Sequence, residues 1–330
     1  MKLLVTGGLG FIGSNFIQKL LGLNQDFEVI NVDALLEGSD ERNLVDIKKN
    51  PHYEFVKGNI TDKVLMEKLI SKCDAIINFA AESFVDKSIN DVNPFLISNV
   101  QGALTILDIA TKQKKRMIQI STDEVFGSIS EGTANEESKL NPSNPYAATK
   151  AAAEMLVFSY YNTHQSDVVI TRCTNNYGPR QFVEKLIPKT ILLAHQEKKI
   201  PIYGNGKNIR DWIFVDDHCD AVLLSLLDGK SGNSYNISSD NELDNVTIVR
   251  KILGIMDKSE DLIEFVEDRP GHDFRYSMSS KKISGELGWK KKVVFEDGLN
   301  ATIQWYLEHI DRWEKLPVHI FDKTPWKSHS

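Results

Sequence analysis

Cysteine is scarce in this chain. Cys73, Cys173 and Cys219 are scattered through 330 residues with no C-x-x-C pair, which argues against a disulfide framework and against a zinc site. Cys73 and Cys173 fall in apolar, strand-like segments where a buried inert thiol is expected, and no metal site is expected anywhere. No run of about 18 uninterrupted apolar residues is present, so no membrane span is expected. Met1-Lys2-Leu3-Leu4-Val5-Thr6 runs straight into glycines, unlike a cleavable signal peptide, and a cytoplasmic protein is expected. Internal repeats and long linkers are absent. Basic residues are the minority, 39 Lys and Arg against 46 Asp and Glu. A net charge of −7 disfavours nonspecific binding to nucleic acid or anionic membrane, yet allows a local basic pocket for a phosphorylated ligand.

What is present is a globular composition, 41% apolar and 26% charged, which excludes a disordered, collagen-like or low-complexity chain. At about 150 residues per domain the length suits one large domain or two closely joined ones. Strand-like runs at 2–6, 28–32, 53–57, 75–79, 117–121 and 168–172 alternate with helical patterns at 11–21, 62–71, 93–111 and 144–161. That alternation predicts βαβ units and a parallel sheet of the α/β class. Ala75-Ile76-Ile77 and Val168-Val169-Ile170 are apolar throughout, as strands covered on both faces must be. From about residue 175 turns become frequent, which places a smaller mixed α/β, substrate-binding domain over 175–330 against a cofactor domain over 1–174. Residues 209–232 again read as strand then helix and are expected to rejoin the first sheet. The polar stretch 320–330, with Trp326, is not placed by any pattern.

Gly7-Gly8-Leu9-Gly10-Phe11-Ile12-Gly13 lies between the first strand and the first helix. Glycines at 7, 10 and 13 permit a tight turn, close approach of a pyrophosphate and close helix–strand packing, with phosphates on the free N–H groups of the helix start. The spacing is G-x-x-G-x-x-G, one residue longer than the usual dinucleotide fingerprint, and alone it is also compatible with an ordinary glycine turn. Asp33 ends the second strand, about 20 residues beyond Gly13, where a carboxylate accepts bonds from ribose hydroxyls and repels a 2′-phosphate. Asn59 and Ile60 follow the third strand and Ala80 and Ala81 the fourth, all at strand C-terminal ends. The expectation is a Rossmann-type doubly wound sheet binding NAD.

Tyr146 and Lys150 form Y-x-x-x-K within the 144–161 helix, on one helix face. An ammonium there is expected to lower the phenol's pKa and make it a base for a substrate hydroxyl. Ser121-Thr122-Asp123-Glu124-Val125-Phe126-Gly127 follows the fifth strand. Two adjacent carboxylates suit a solvated turn, or an acid and a base whose mutual repulsion keeps one of them protonated.

Thr122-Asp123-Glu124-Val125-Phe126-Gly127 resembles the T-D-E-V-Y-G signature of nucleotide-sugar 4,6-dehydratases of the extended short-chain dehydrogenase/reductase class. Ala80-Ala81-Glu82-Ser83 with Val85-Asp86-Lys87-Ser88-Ile89, Arg172-Cys173-Thr174-Asn175-Asn176-Tyr177-Gly178-Pro179, Glu184-Lys185-Leu186-Ile187-Pro188, Ile209-Arg210-Asp211-Trp212 and Asp268-Arg269-Pro270-Gly271-His272-Asp273 extend it over roughly 1–290. The resemblance implies that Tyr146 takes the C4 hydroxyl proton, Glu124 the C5 proton, and that Asp123 protonates the departing C6 hydroxyl. Thr122 would bond the C4 oxygen and Lys150 the nicotinamide ribose. NAD would stay bound as a prosthetic group and regenerate in each turnover. Phe11, Ile12, Ser83, Ser98 and Asn176 join the implied cofactor contacts. Ser83, Asn175, Lys185, Leu186, Pro201, Ile202, Tyr203, Arg210, Asn236, Arg269 and His272 join the implied substrate contacts. Arg210 and Arg269 suit a bidentate grip on a diphosphate, or else surface ion pairs. The implied substrate is a nucleotide sugar, dTDP-glucose first and UDP-glucose next, in a homodimer paired through helices at about 93–111 and 144–161.

Five positions depart from the family pattern: Phe84 for histidine, Asn59 for aspartate, Arg180-Gln181 for Tyr-His, and Phe126 for tyrosine. They bear on sugar and base preference. A 4-epimerase or decarboxylase on the same scaffold stays open, as does an NAD-binding regulator without catalysis. The pair Asp123-Glu124 favours dehydration, because epimerisation requires no elimination.

Overall fold

The structure, a computed structural model, describes residues 1–23, 27–313, 316 and 318–327, with the side chains of 318 and 319 excepted. Six strands come first: β1 Lys2–Thr6, β2 Glu28–Asp33, β3 Tyr53–Lys57, β4 Ala75–Asn78, β5 Arg116–Thr122 and β6 Val168–Cys173. The shorter β7 Asn175–Tyr177, β8 Ile200–Tyr203, β9 Ile209–Phe214, β10 Ser234–Ile237, β11 Glu242–Asp244 and β12 Ile263–Val266 follow. The intervening helices are α1 Phe11–Gly22, α2 Lys63–Ile70, α3 Val85–Asn90, α4 Asn93–Phe95, α5 Ala103–Lys112 and α6 Pro145–His164. Then come α7 Leu186–His195, α8 Val215–Asp228, α9 Asn245–Ile255, α10 Lys281–Leu287 and α11 Phe295–Glu308.

Seven parallel strands form one sheet in the order β10-β6-β5-β4-β1-β2-β3. Alternation along β1 divides its side chains between two cores. Leu3 and Val5 meet Phe16, Ile17 and Val222, from the side of α1 and α8. Leu4 meets Met66, Ile106 and Val157, from the side of α2, α5 and α6. Strands covered on both faces have no polar side to show, hence their unbroken apolar runs. A third core around Ile187, Ile191, Trp212, Ile252 and Leu299 belongs to the smaller part of the chain, with a three-stranded sheet β11-β9-β7 and the pair β12-β8.

Two segments differ from expectation. The 209–232 segment divides: β9 pairs with β7 and β11 in the small sheet, while α8 packs on the large one and β10 takes its edge beside β6. The 93–111 helix is interrupted by a π-helical turn, Leu96–Gly102, before α5. Apolar periodicity does not register one extra residue per turn. Gly102 closes that turn where helix and chain nearly touch, since a Cβ there would lie 2.4 Å from the Ile60 side chain. Among the described residues no helix is long and apolar enough to cross a membrane.

Candidate active site

The β1–α1 turn can be built only from glycine at two of its positions. Gly7 has φ +68°, and a Cβ there would fall 2.7 Å from the Ala80 backbone. A Cβ on Gly13 would fall 2.5 Å from the Gly7 carbonyl. Gly10 is the N-cap of α1 and no side chain among the described residues caps that helix, so its first-turn N–H groups open into the space above. That space is a cavity of about 290 Å³ lined by Gly7, Gly10, Phe11, Ile12, Gly13, Asp33, Asn59, Ile60, Ala80, Ala81, Ser83 and Asn176. Asp33 is held at its edge, accepting from Leu9 N at 3.0 Å and Leu35 N at 2.8 Å. A bare helix start, a side-chain-free floor and a fixed carboxylate together suit a dinucleotide. Ser98 does not line the cavity: it sits half-buried on the π-helical turn, whose altered phase presents Asn99 inward, to Glu82 N and Thr149.

Thr122, Glu124, Tyr146 and Lys150 line the same cavity. Asn144 Oδ1 caps α6 by accepting from Ala147 N at 2.8 Å, and its Nδ2 donates to Glu124 Oε2 at 3.1 Å. One residue thus aligns the start of the Tyr146 helix with the carboxylate turn. Thr122 donates to Asp123 Oδ1 at 3.1 Å and accepts from Glu124 N at 3.3 Å. Asp123 is buried, and its Oδ2 has no protein partner among the described residues. Burial, and then the Glu124 charge, push the Asp123 carboxyl well above the usual range, which favours its neutral form.

The expected lowering of the Tyr146 pKa is corrected by this geometry. Burial first, then Glu124, pushes the phenol well above its ordinary value, while a hydrogen bond with Thr122 acts the other way. Lys150 Nζ donates to the Ile120 carbonyl at 2.7 Å, and burial lowers its pKa to about 8. Sharing a helix face does not decide the matter, because burial penalises phenolate and ammonium alike.

A second cavity of about 170 Å³ is lined by Lys185, Leu186, Pro201, Ile202, Tyr203, Arg210, Arg269 and His272. Asn175, Asn176, Gln181 and Lys185 line both cavities, which makes them contiguous. Arg210 Nη1 donates to Ile209 O at 2.7 Å and Nη2 to Asp273 O at 3.0 Å, with the guanidinium 4.2 Å from the Tyr276 ring centre. Arg269 Nη1 donates to Asp86 Oδ1 at 2.9 Å, leaving Nε without a protein partner among the described residues. His272 Nδ1 lies 2.6 Å from Asp268 Oδ1; burial, with the two arginines behind it, lowers the ring to about 4 and keeps it neutral.

Asn236 is a correction. It lies fully buried in β10, opposite Arg172, and lines neither cavity. Its Oδ1 faces Arg172 Nη1 at 3.4 Å, inside the sheet; Asn245 lines the second cavity instead. Motif spacing also passed over Asp86, Glu184 and Lys189, which line that cavity. The signal available was charge inside otherwise apolar motifs, Val85-Asp86 and Ile187-Pro188-Lys189. Of the departures, Phe84 packs on Phe182 with ring centres 5.7 Å apart, Phe126 lies 5.0 Å from the Arg172 guanidinium, and Arg180 donates to Asn15 at 2.7 Å.

The model of the family described as GDP-mannose 4,6 dehydratase matches residues 4–302. A low-salt glycan biosynthesis protein of Haloferax volcanii is 49% identical over 93% of this chain and 99% of its own. A dTDP-glucose 4,6-dehydratase of Streptomyces niveus is 43% identical over 96% of each chain. Among solved structures, a dTDP-glucose 4,6-dehydratase of Streptomyces venezuelae with NAD and dTDP bound superposes with a TM-score of 0.93, at 42% identity over 95% of this chain and 99% of that one. Matched nearly end to end by the family model and by these relatives, the chain belongs to the GDP-mannose 4,6 dehydratase family.

Proposed function

We propose that the protein is an NAD-dependent dTDP-glucose 4,6-dehydratase, a hydro-lyase that forms dTDP-4-keto-6-deoxyglucose and water. The observation that carries this reading is geometric: Thr122, Glu124, Tyr146 and Lys150 line the dinucleotide-shaped cavity where it meets a cationic one, and Asp123 is buried beside Glu124 with its Oδ2 unpartnered among the described residues. The dTDP-glucose 4,6-dehydratases at 42–43% identity favour thymidine over the guanosine nucleotide in the family's description.

The first-turn N–H groups of α1 would hold the pyrophosphate of NAD, Asp33 a ribose, and Lys150 the nicotinamide ribose. Bound NAD supplies a hydride acceptor for C4 and, later, the hydride that returns to C6. Tyr146 would accept the C4 hydroxyl proton as phenolate, with Thr122 bonding the same oxygen. Burial and Glu124 disfavour that phenolate in the protein alone, and it would be favoured beside the cationic nicotinamide of bound NAD. The ketone formed at C4 acidifies the C5 proton, which Glu124 removes. Asp123 gives its proton to the C6 hydroxyl as that leaves. Glu124 returns its proton to C5 once C6 has received hydride, and the proton taken up by Tyr146 passes through solvent to reload Asp123. Burial and the Glu124 charge favour the neutral form of Asp123, which is what an acid beside a carboxylate base requires. Arg210, Arg269 and Lys185 face the diphosphate, and Pro201, Ile202 and Tyr203 the base.

A cytoplasmic homodimer completes the proposal. Three free, buried cysteines suit a reducing compartment. Leu96 and Ile97 on the π-helical turn and Met155 on α6 are 45–50% exposed, on the two helical segments expected to pair.

The test is incubation of the purified protein with dTDP-glucose, without added NAD, followed by mass spectrometry. Loss of one water with a 4-keto product and no net reduced cofactor is expected. Parallel arms with UDP-glucose and GDP-mannose read the base. Reaction with one of these but not dTDP-glucose overturns the thymidine assignment; inertness toward all three, with NAD added, overturns the dehydratase.

A further inference from the structure

The short stretch Ile320–Lys327 runs from the core of the smaller part to the wall of the second cavity. Ile320 is buried with the third core, and Trp326, only 6% exposed, ends against Tyr203. Their rings meet edge-on, with centres 4.7 Å apart at 85°. Tyr203 is a cavity-lining residue, and its hydroxyl donates to Asp86 Oδ2 at 3.0 Å. The other oxygen of Asp86 accepts from Arg269 at 2.9 Å. Trp326 therefore stands behind a chain of contacts, Tyr203 to Asp86 to Arg269, that joins the base end of the cavity to its cationic end.

The same stretch also grips the opposite wall. Asn90, at the end of the helix that carries Asp86, donates from Nδ2 to the Pro325 carbonyl at 2.9 Å. Lys323 reaches Glu264 at 2.7 Å and Lys327 pairs with Glu267, both beside the edge strand β12. These ion pairs are half-exposed and contribute little. Burial of the indole against Tyr203 does most to hold the stretch in place.

We infer that Trp326 is a positioning residue for the nucleotide of the substrate: it fixes the Tyr203 ring and, through Asp86, the Arg269 guanidinium in their binding orientation. This rests on the proposed reading of the second cavity as the nucleotide-sugar site. The ring contact of Trp326 is with Tyr203, which does not belong to the Tyr146, Asp123 and Glu124 group, so its effect is expected on substrate affinity rather than on the chemical steps.

The experiment uses the NAD-bound holoenzyme and its Trp326→Ala and Trp326→Phe variants. dTDP binding is measured by calorimetry and dTDP-glucose turnover by KM and kcat. An edge-to-face pair and its burial predict that Trp326→Ala weakens dTDP binding and raises KM about threefold to tenfold. The kcat value and NAD content stay within about twofold, and Trp326→Phe, which keeps an aromatic edge, restores most of the affinity. Unchanged dTDP affinity in Trp326→Ala overturns the inference. So does a fall in kcat with KM unchanged, or a loss of NAD content and melting temperature that Trp326→Phe shares. If the wild-type holoenzyme binds no dTDP at all, the reading of the cavity itself fails, a result distinct from a variant that binds as wild type does.

Discussion

Arg172 and Glu154 form a fully buried ion pair, 2% and 0% exposed, with Arg172 Nε donating to both carboxylate oxygens and Nη2 at 2.7 Å from Oε2. Glu154 lies on α6, one turn beyond Lys150, and Arg172 lies on β6 with its guanidinium 5.0 Å from the Phe126 ring. The pair therefore joins the helix of Tyr146 to the turn of Asp123 and Glu124. Removing one partner leaves a buried charge uncompensated. Glu154→Ala is expected to lower stability by about 3–5 kcal/mol, whereas Arg172→Met with Glu154→Leu recovers most of that loss. Urea unfolding of the single and double variants reads both; a single variant as stable as wild type would show that the pair holds nothing together.

Glu124→Gln keeps the size of the side chain and an amide oxygen toward Asn144, and loses the base. Elimination is expected to fall by about 10²–10⁴-fold, while oxidation at C4 continues. Reduced cofactor should then accumulate on the enzyme when dTDP-glucose is added, visible by its near-ultraviolet absorbance. Unaltered turnover would take the base assignment away from Glu124.

Tyr146→Phe retains the ring that packs against Phe95, whose centre is 6.4 Å away, so the fold should survive. Without the hydroxyl no group accepts the C4 proton. Neither ketone nor reduced cofactor should form, a separation from Glu124→Gln that stopped-flow absorbance resolves. Appearance of reduced cofactor at the wild-type rate would clear Tyr146 of that role.

Gly7→Ala strains the turn twice, through φ +68° and through a Cβ 2.7 Å from the Ala80 backbone. Backbone gives way less readily than side chain, so β1, β4 and the start of α1 must separate. The expected result is a protein purified with little or no NAD and a melting temperature lowered by several degrees. Full NAD content would show that the turn tolerates the methyl group.

Legibility in the sequence follows the kind of signal involved. The strand positions and the Gly7-to-Gly13 turn stand out because apolar runs and glycine spacing are local properties. Asn236 misled because a residue's place along a motif says nothing of which side of the sheet it faces, and this one turns toward Arg172. Asp86 and Trp326 were unreadable for a related reason: their partners, Arg269 and Tyr203, lie more than a hundred residues away in sequence. The Tyr146 titration depends on depth, which helix spacing does not report.

Lys150 offers a last test, in which stability and activity are expected to move in opposite directions. Burial lowers its pKa from 10.5 to about 8, so the folded state releases a proton that the unfolded chain still holds between those values. Stability contributed by this site therefore rises with pH across that window. Below about pH 8 both states are charged and the folded protein carries the full burial penalty, about 3 kcal/mol. Lys150→Met removes that penalty and loses the 2.7 Å bond to the Ile120 carbonyl, worth about 1 kcal/mol. The variant should therefore be inactive and about 2 kcal/mol more stable than wild type near pH 7. Its advantage should shrink as pH rises above about 8, cross zero between about pH 9 and pH 10, and reverse by about 1 kcal/mol at the 10.5 of an exposed lysine, where only the lost bond remains. Urea unfolding of the two proteins between about pH 7 and pH 10 checks this. A stability difference that does not change with pH would mean that Lys150 keeps its charge at ordinary cost, stabilised where it sits beside Ile120.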